Sequence, residues 1–420
     1  MKGFIKQLTG VRWIAALWVM LYHYQPALAG AGLLVPVVHE VLRVGSLGVD
    51  LFFTLSGFIL TYTYLNKLGP ALKARQAGHF LWLRLARIYP VHFVMLNVAG
   101  LVVIASGFLG QQVEKSWLNP ASYLKQLLLI QEWGPNPSRG WNFVAWSLSM
   151  EWLAYLLMPL FALLLFRVRD RLPTWALAVC AFLCLTPLLG LAFTQTEELG
   201  PFFNGGWSST FRILSEFACG AFVYLVVRRL TQDGSATPTT ERVGRILSWV
   251  VPVGIVGLSV VMGHIPALQW DPTQYANEAP KYYVIIIPFL ALWLGALAVS
   301  KGGPSTVLSH RRLVLGGFIS YSLYMVHDIW FTVWREGMKV VGIESGPLYL
   351  LGVIALIGLA IVFAYAMWRF VEEPAREWMR KKVGERIKPI EEASMEPTAV
   401  TAPSWSDQVK ASQDEPSQKS

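Results

Sequence analysis

Charge is scarce in this chain. Asp, Glu, Lys and Arg make up 15% of its 420 residues, against 54% hydrophobic ones. A soluble domain carries about 25% charged residues, and a hydrophilic surface cannot be built from so few. A large soluble core would bury its apolar residues in short strands and amphipathic helices. Here they recur in uninterrupted runs of about 20, which makes lipid the expected solvent. Cysteine is equally sparse: Cys180, Cys184 and Cys219 all sit in apolar stretches, without metal-type spacing or a secreted disulfide framework. Packing is their expected role, and no metal site is expected. An internal repeat of the kind that marks many secondary transporters is also missing. The first apolar run lies between Arg12 and His23 and has no small-residue cleavage site, so it is expected to stay in place as a signal anchor.

The net charge of +9 and pI near 9.4 suggest nucleic acid or a membrane, because Lys and Arg also gather on the cytoplasmic side of membrane proteins. Apolar runs place spans near residues 11–28, 46–65, 89–109, 145–166, 174–193, 210–227, 246–263, 282–300, 314–334 and 348–370. With the N-terminus inside, the inner segments before the tail hold 18 Lys and Arg and the outer joints hold 7. The expected fold is therefore all-α and polytopic, with about ten transmembrane helices and both termini cytoplasmic. A membrane domain over residues 1–385 precedes a tail, 386–420, rich in Glu, Ser, Pro, Thr and Gln and expected to be disordered. No nucleic acid is expected as a partner.

Two stretches break the pattern of spans. Residues 110–144 hold Trp117, Trp133, Trp141 and the apolar run Tyr123 to Ile130, too short to cross a bilayer of roughly 30 Å. The stretch, which contains Lys115 and Arg139, reads as an interfacial or re-entrant outer segment. The Arg-rich stretch from Lys67 to Arg87 contains His79, Phe80 and Trp82; its second half reads as an amphipathic helix entering the membrane at Pro90.

Ionisable residues inside spans cost a few kcal/mol each, and so mark either function or a buried pair. Arg12 and His23 are 11 residues apart, only about 20° from three full turns, and share one helix face roughly 16 Å apart along its axis. Arg12 falls at the cytoplasmic entrance and His23 in the outer half; as structural residues they are a snorkelling anchor and part of an aromatic belt with Tyr22 and Tyr24. Glu151 lies in the fourth span with Ser147 and Tyr155 one turn to either side. It either pairs with an arginine or orients His23 and raises its basicity. Asp50 opens the second span and is a helix cap or a second orienting acid. In the ninth span Ser320 and Tyr324 share a face with His327, followed by Asp328; they line a polar pocket or satisfy a buried imidazole. Arg84 and Arg87, three apart, are a phosphate clamp or a positive-inside signal.

Six segments occur in a telling order: Leu8-Thr-Gly-Val-Arg12 to His23, Gly48-Val-Asp50-Leu-Phe-Phe, Arg84-Leu-Ala-Arg87-Ile-Tyr-Pro90, Trp146-Ser-Leu-Ser-Met-Glu151, Ile319 to His327, and Glu373-Pro374-Ala-Arg376. Together, from residue 6 to about 380, they resemble the acyltransferase-3 family of membrane O-acyltransferases. The resemblance implies a ten-helix core in the bacterial cytoplasmic (inner) membrane. It further implies transfer of an acyl group, usually acetyl, from cytosolic acyl-coenzyme A to a hydroxyl of an extracytoplasmic or lipid-linked saccharide, such as an exopolysaccharide or other cell-surface glycan. His23 is then catalytic, while Arg12, Arg84 and Arg87 contact the donor. Thr9 stands where the family opening carries Asp. No hydrolase-like domain follows, so the membrane part is expected to complete the transfer itself or with a separate partner.

On this reading His23 deprotonates the acceptor hydroxyl, with Glu151 or Asp50 orienting it. Ser147, Tyr324 or a backbone amide remain open as the oxyanion donor. A glycan or lipid transporter or flippase, and an acyltransferase for small hydroxylated metabolites, are the alternatives.

Overall fold

The computed structural model describes residues 5–108, 119–138, 140–193, 206–231, 236–265 and 281–384. The tail expected from residue 386, together with Lys115, Trp117 and Arg139 of the outer segment, lies outside the described residues. Among the described residues the regular structure is helical throughout.

The first helix, α1 (Lys6–His23), is followed by short α2 (Gln25–Gly30) and α3 (Pro36–Arg43), each with a proline in its first two positions, where a missing N–H costs nothing. Then come α4 (Leu47–Leu68), α5 (Ala74–Phe108) and α6 (Pro120–Leu127), and a 3-10 turn, Phe143–Ala145, leads into α7 (Trp146–Val168). After α8 (Thr174–Leu183), α9 (Thr186–Phe193), α10 (Gly206–Leu230) and α11 (Pro238–Gly263), a 3-10 turn, Lys281–Ile286, opens α12 (Ile287–Val299). The last elements are α13 (Pro304–Leu308), α14 (Arg311–Val341), α15 (Gly346–Met367), a π-helical turn over Trp368–Glu372 and α16 (Glu373–Gly384).

Among the described residues six helices are long and apolar enough to cross a bilayer: α4, α5, α7, α10, α11 and α15 with its continuation. Ten were expected, and the other four fall short for two reasons. The 174–193 run is broken between α8 and α9, and α12 has 13 residues; both count as shorter apolar helices. By contrast α1 and α14 carry the polar and charged residues singled out above, Arg12 and His23 on one and His327 and Asp328 on the other. The same side chains that mark a site dilute the hydropathy of the helices that hold them.

Two further regions gain detail. The amphipathic stretch before Pro90 and the third span are one 35-residue helix, α5, with Pro90 inside it. Neighbouring helices can support such an interruption in a membrane: the Tyr321 hydroxyl of α14 donates to the Ile88 carbonyl beside the proline. The outer segment, where described, is tied to α7. Its α6 is capped by Asn119, whose side chain accepts from Ser122 N at 2.7 Å. Ser149 Oγ of α7 donates to Leu129 O at 2.8 Å, and Trp133 Nε1 donates to Ser149 O at 3.2 Å.

The centre of the bundle is made by two close helix pairs, α4 with α10 and α1 with α14, joined by contact of α1 with α4. Glycine sets the first spacing. A Cβ on Gly220 would lie 1.8 Å from Thr54 O, and one on Gly57 1.9 Å from Phe217 O, so the two backbones meet where only hydrogen fits. The second pair does the same at Gly317, whose added Cβ would meet the Thr9 carbonyl at 2.0 Å. Backbone cannot rotate away as a side chain can. Gly220→Leu is therefore expected to reduce the monodisperse protein recovered from detergent at least tenfold, whereas Gly257→Leu on α11, where an added Cβ meets nothing within 4 Å, leaves recovery near wild type. Size-exclusion profiles of the two variants check this.

Candidate active site

His23 ends α1 and His327 lies in the middle of α14, and the pairing of these two helices brings their rings together. His327 is fully buried, and its Nδ1 faces the carbonyls of Tyr324 at 2.8 Å and Leu323 at 3.2 Å. Carbonyls only accept, so this Nδ1 carries the proton and Nε2 of the neutral ring carries a lone pair. That Nε2 is 3.0 Å from His23 Nδ1. His23 Nδ1 is therefore the donor, and its Nε2 is left with the lone pair. His23 is partly exposed as a residue, where His327 is fully buried. Tyr24 fixes the arrangement from behind by donating its hydroxyl to His327 O at 2.9 Å.

Ser147 and Tyr324 form a compact triangle beside this pair. Tyr324 OH reaches Val144 O at 3.0 Å, Ser147 Oγ reaches the same carbonyl at 3.1 Å, and the two hydroxyls are 2.8 Å apart. The carbonyl belongs to the 3-10 turn that opens α7, so the turn positions both side chains. Two hydroxyl protons serve three contacts, and whichever way they are arranged both stay inside the triangle. Tyr324→Phe is accordingly expected to lower kcat less than tenfold, against roughly 10²- to 10³-fold for loss of an oxyanion donor; steady-state kinetics of the variant decides.

The two acids expected to orient His23 sit elsewhere. Asp50, fully buried, accepts from Arg212 of α10 on both oxygens, Nε to Oδ1 at 2.8 Å and Nη2 to Oδ2 at 2.5 Å. Glu151 accepts from the Tyr155 hydroxyl one turn on and is a charge neighbour of Arg12. The carboxylate within electrostatic reach of His23 is Asp328, next to His327.

Arginines gather at the other end of α1. Arg12 lies over the Phe52 ring, 5.6 Å from its centroid, with Nε buried and lacking a hydrogen-bond partner among the described residues. Its charge neighbours include Arg87, Glu151 and Glu372. Arg84 Nη2 donates to Tyr64 OH at 3.0 Å. Arg87 Nη1 is 3.7 Å from Glu372 Oε1, and Ser322 Oγ donates to Glu372 Oε2 at 2.8 Å. Glu372 itself is fully buried in the π-helical turn, a distortion frequent at functional sites.

Arg212, Glu216 and Glu372 were missed by the sequence reading. Arg212 and Glu216 stand four apart inside an apolar run, so the rule applied to His23 and Glu151 finds them too. Glu372 looks like the first charge after a span, and only the extra residue of the π turn carries it inward.

A helical bundle with an ionisable, hydrogen-bonded interior of this kind defines an integral membrane protein with the interior of an enzyme. The acyltransferase domain family matches residues 5–369, and the chain belongs to that family. It is a membrane enzyme of the O-acyltransferase type. Acyltransferase MdmB of Streptomyces mycarofaciens is 28% identical across 81% of this chain and 82% of its own length. O-acetyltransferase OatA of Staphylococcus aureus is 25% identical across 89% of this chain and 57% of its own length. The Nose resistant to fluoxetine protein 6 of Caenorhabditis elegans is 23% identical, across 79% of this chain and 45% of its own. No solved structure matches the chain.

Proposed function

We propose that this enzyme is an O-acetyltransferase of the bacterial cytoplasmic membrane, moving an acetyl group from cytosolic acetyl-coenzyme A to a hydroxyl of an extracytoplasmic or lipid-linked saccharide. The observation that carries the reading is the His23–His327 pair, whose hydrogen bonds leave one lone pair free on His23 Nε2. Likeness to OatA, named an O-acetyltransferase, supports the acetyl group and the oxygen acceptor.

In the proposed step the acceptor O–H gives its proton to His23 Nε2 and its oxygen forms a bond to the thioester carbonyl carbon. The C–S bond breaks, and the departing sulfur takes the proton from His23, so the enzyme ends as it began. Asp328 stabilises the transient imidazolium, and His327 holds the ring. At the far end Arg12, Arg84 and Arg87 grip the donor's phosphates, since guanidinium forks suit phosphate oxygens. Glu151 and Tyr155, charge neighbours of Arg12, help keep it in place at that end.

The reading includes ten membrane crossings with both termini cytoplasmic. The Lys and Arg bias supports it, as does the pairing of α1 and α14 at the bundle centre, where neither helix could hold a buried histidine pair without crossing. Purified enzyme incubated with acetyl-coenzyme A and saccharide is expected to release free thiol in proportion to acetylated product. Movement of saccharide across vesicles with the thioester left intact would instead make the protein a transporter.

A further inference from the structure

Arg212 is an arginine on the wrong side of the bundle to serve the donor. His23 is the last residue of α1, Asp50 lies in the first turn of α4, Ser147 is the second residue of α7 and Arg212 the seventh of α10. The Asp50–Arg212 ion pair ties the starts of α4 and α10 together, and Ser209 Oγ donates to Glu132 Oε1 at 2.7 Å, tying α10 to the segment before α7. All these residues therefore share one end of the bundle. Tyr64, which holds Arg84, is 14 residues after Asp50 on α4, about 21 Å away along the axis.

The surroundings of Arg212 are also unlike those of a phosphate-binding arginine. One guanidinium lies between two fully buried carboxylates, Asp50 at 2.5 Å and Glu216 at 3.4 Å, so no positive charge is left over for an anion. The side chain is nonetheless 26% exposed while both acids are at 0%. Nε and Nη2 are committed to Asp50, and Nη1 makes no hydrogen bond among the described residues. Arg212 and Tyr324 are within electrostatic reach of one another, so the guanidinium lies in the neighbourhood of the Ser147–Tyr324 triangle. A fixed donor whose charge Asp50 already balances suits neutral hydroxyl oxygens better than a phosphate, for which it has no positive charge to spare.

We infer that the Asp50, Arg212 and Glu216 group is the acceptor-side binding site, and that it takes an uncharged polyhydroxylated acceptor, a sugar ring, rather than a phosphorylated one. Arg212 donates to the sugar; Asp50 and Glu216 are positioning residues that act through it. The inference rests on the acyl-transfer reading above.

The test uses the full chain in detergent, with acetyl-coenzyme A as donor and methyl glucoside, methyl mannoside, methyl galactoside and glucose 1-phosphate as acceptor probes. Thiol release is expected with at least one methyl hexoside, and Arg212→Gln raises its KM tenfold or more while the KM for acetyl-coenzyme A stays within twofold. If Arg212→Gln is not recovered as folded protein, Arg212→Lys, which keeps the charge but not the fork, is expected to show the same split. The paired change Asp50→Asn with Arg212→Gln replaces the ion pair by neutral hydrogen-bonding groups and is expected to stay defective. Recovery of wild-type KM by that pair makes the group structural and overturns the inference, as does turnover with glucose 1-phosphate alone or with none of the four probes. Donor binding separates the two levels: acetyl-coenzyme A that still binds, and still acetylates material in native membranes, leaves the acyl-transfer reading standing when the inference falls.

Discussion

His23→Ala is expected to abolish acyl transfer while leaving the amount of protein in the membrane unchanged. Both halves follow from where the ring sits. His23 closes α1 and is partly open, so truncation removes one hydrogen bond, the 3.0 Å contact to His327, at a cost of about 1 kcal/mol. What disappears with it is the lone pair on Nε2, and positioned general bases contribute roughly 10²- to 10⁴-fold. His327 is the control that tests the tautomer argument. Its Nε2 accepts from His23, and Gln can place an amide oxygen near that point, so His327→Gln is expected to keep a measurable fraction of kcat. His327→Ala leaves the His23 N–H without its acceptor and a cavity where a fully buried ring stood, so it falls further and loses protein as well. Acetyl transfer and quantitative membrane blotting of the three variants decide; near wild-type transfer by His23→Ala would end the base assignment.

The sequence exposed the ends of the bundle better than its connections. Long apolar runs announce helices because lipid demands that every backbone group be paired within the segment, and most expected spans fall within a few residues of helices. Two regions show local detail that the apolar pattern does not carry. Pro90 reads as a boundary in isolation, yet α5 runs through it with Tyr321 bonded beside it. The 174–193 run reads as one span, yet the chain turns between α8 and α9.

For the site, the helical period of α1 placed Arg12 and His23 on one face, and the pairing of α1 with α14 gives that face its meaning. Periodicity within a helix says nothing about which helix lies opposite. That is why Asp50 and Glu151 were offered to His23 but have other partners, Arg212 and Tyr155. It is also why Asp328, seen only as the neighbour of His327, is the acid that His23 senses. Pairings across 162 residues, such as Arg212 with Asp50, have no signature in a single sequence.

The second large effect concerns Arg87. Its guanidinium is 21% exposed and shares the fully buried Glu372 with no hydrogen bond shorter than the 3.7 Å ion pair, so it is held loosely and its fork is available to a polyanion. Charge-assisted hydrogen bonds to a phosphate are worth about 1.5 to 3 kcal/mol, so Arg87→Ala is expected to weaken acyl-coenzyme A binding roughly 10- to 100-fold. It also flattens the salt dependence of that binding, since one screened contact is gone. Truncation alone would confuse two causes, because it strips the fully buried Glu372 of its Arg87 partner, and breaking a buried ion pair costs stability. The double variant Arg87→Ala with Glu372→Gln removes that penalty: Ser322 still has an oxygen to donate to, and no charge is left buried. Recovery of the double variant from the membrane is expected to return toward wild type while donor affinity stays low. Were donor affinity to return with it, Arg87 would serve the fold and the inside-positive charge bias alone. Unchanged affinity in the single variant would say the same more directly.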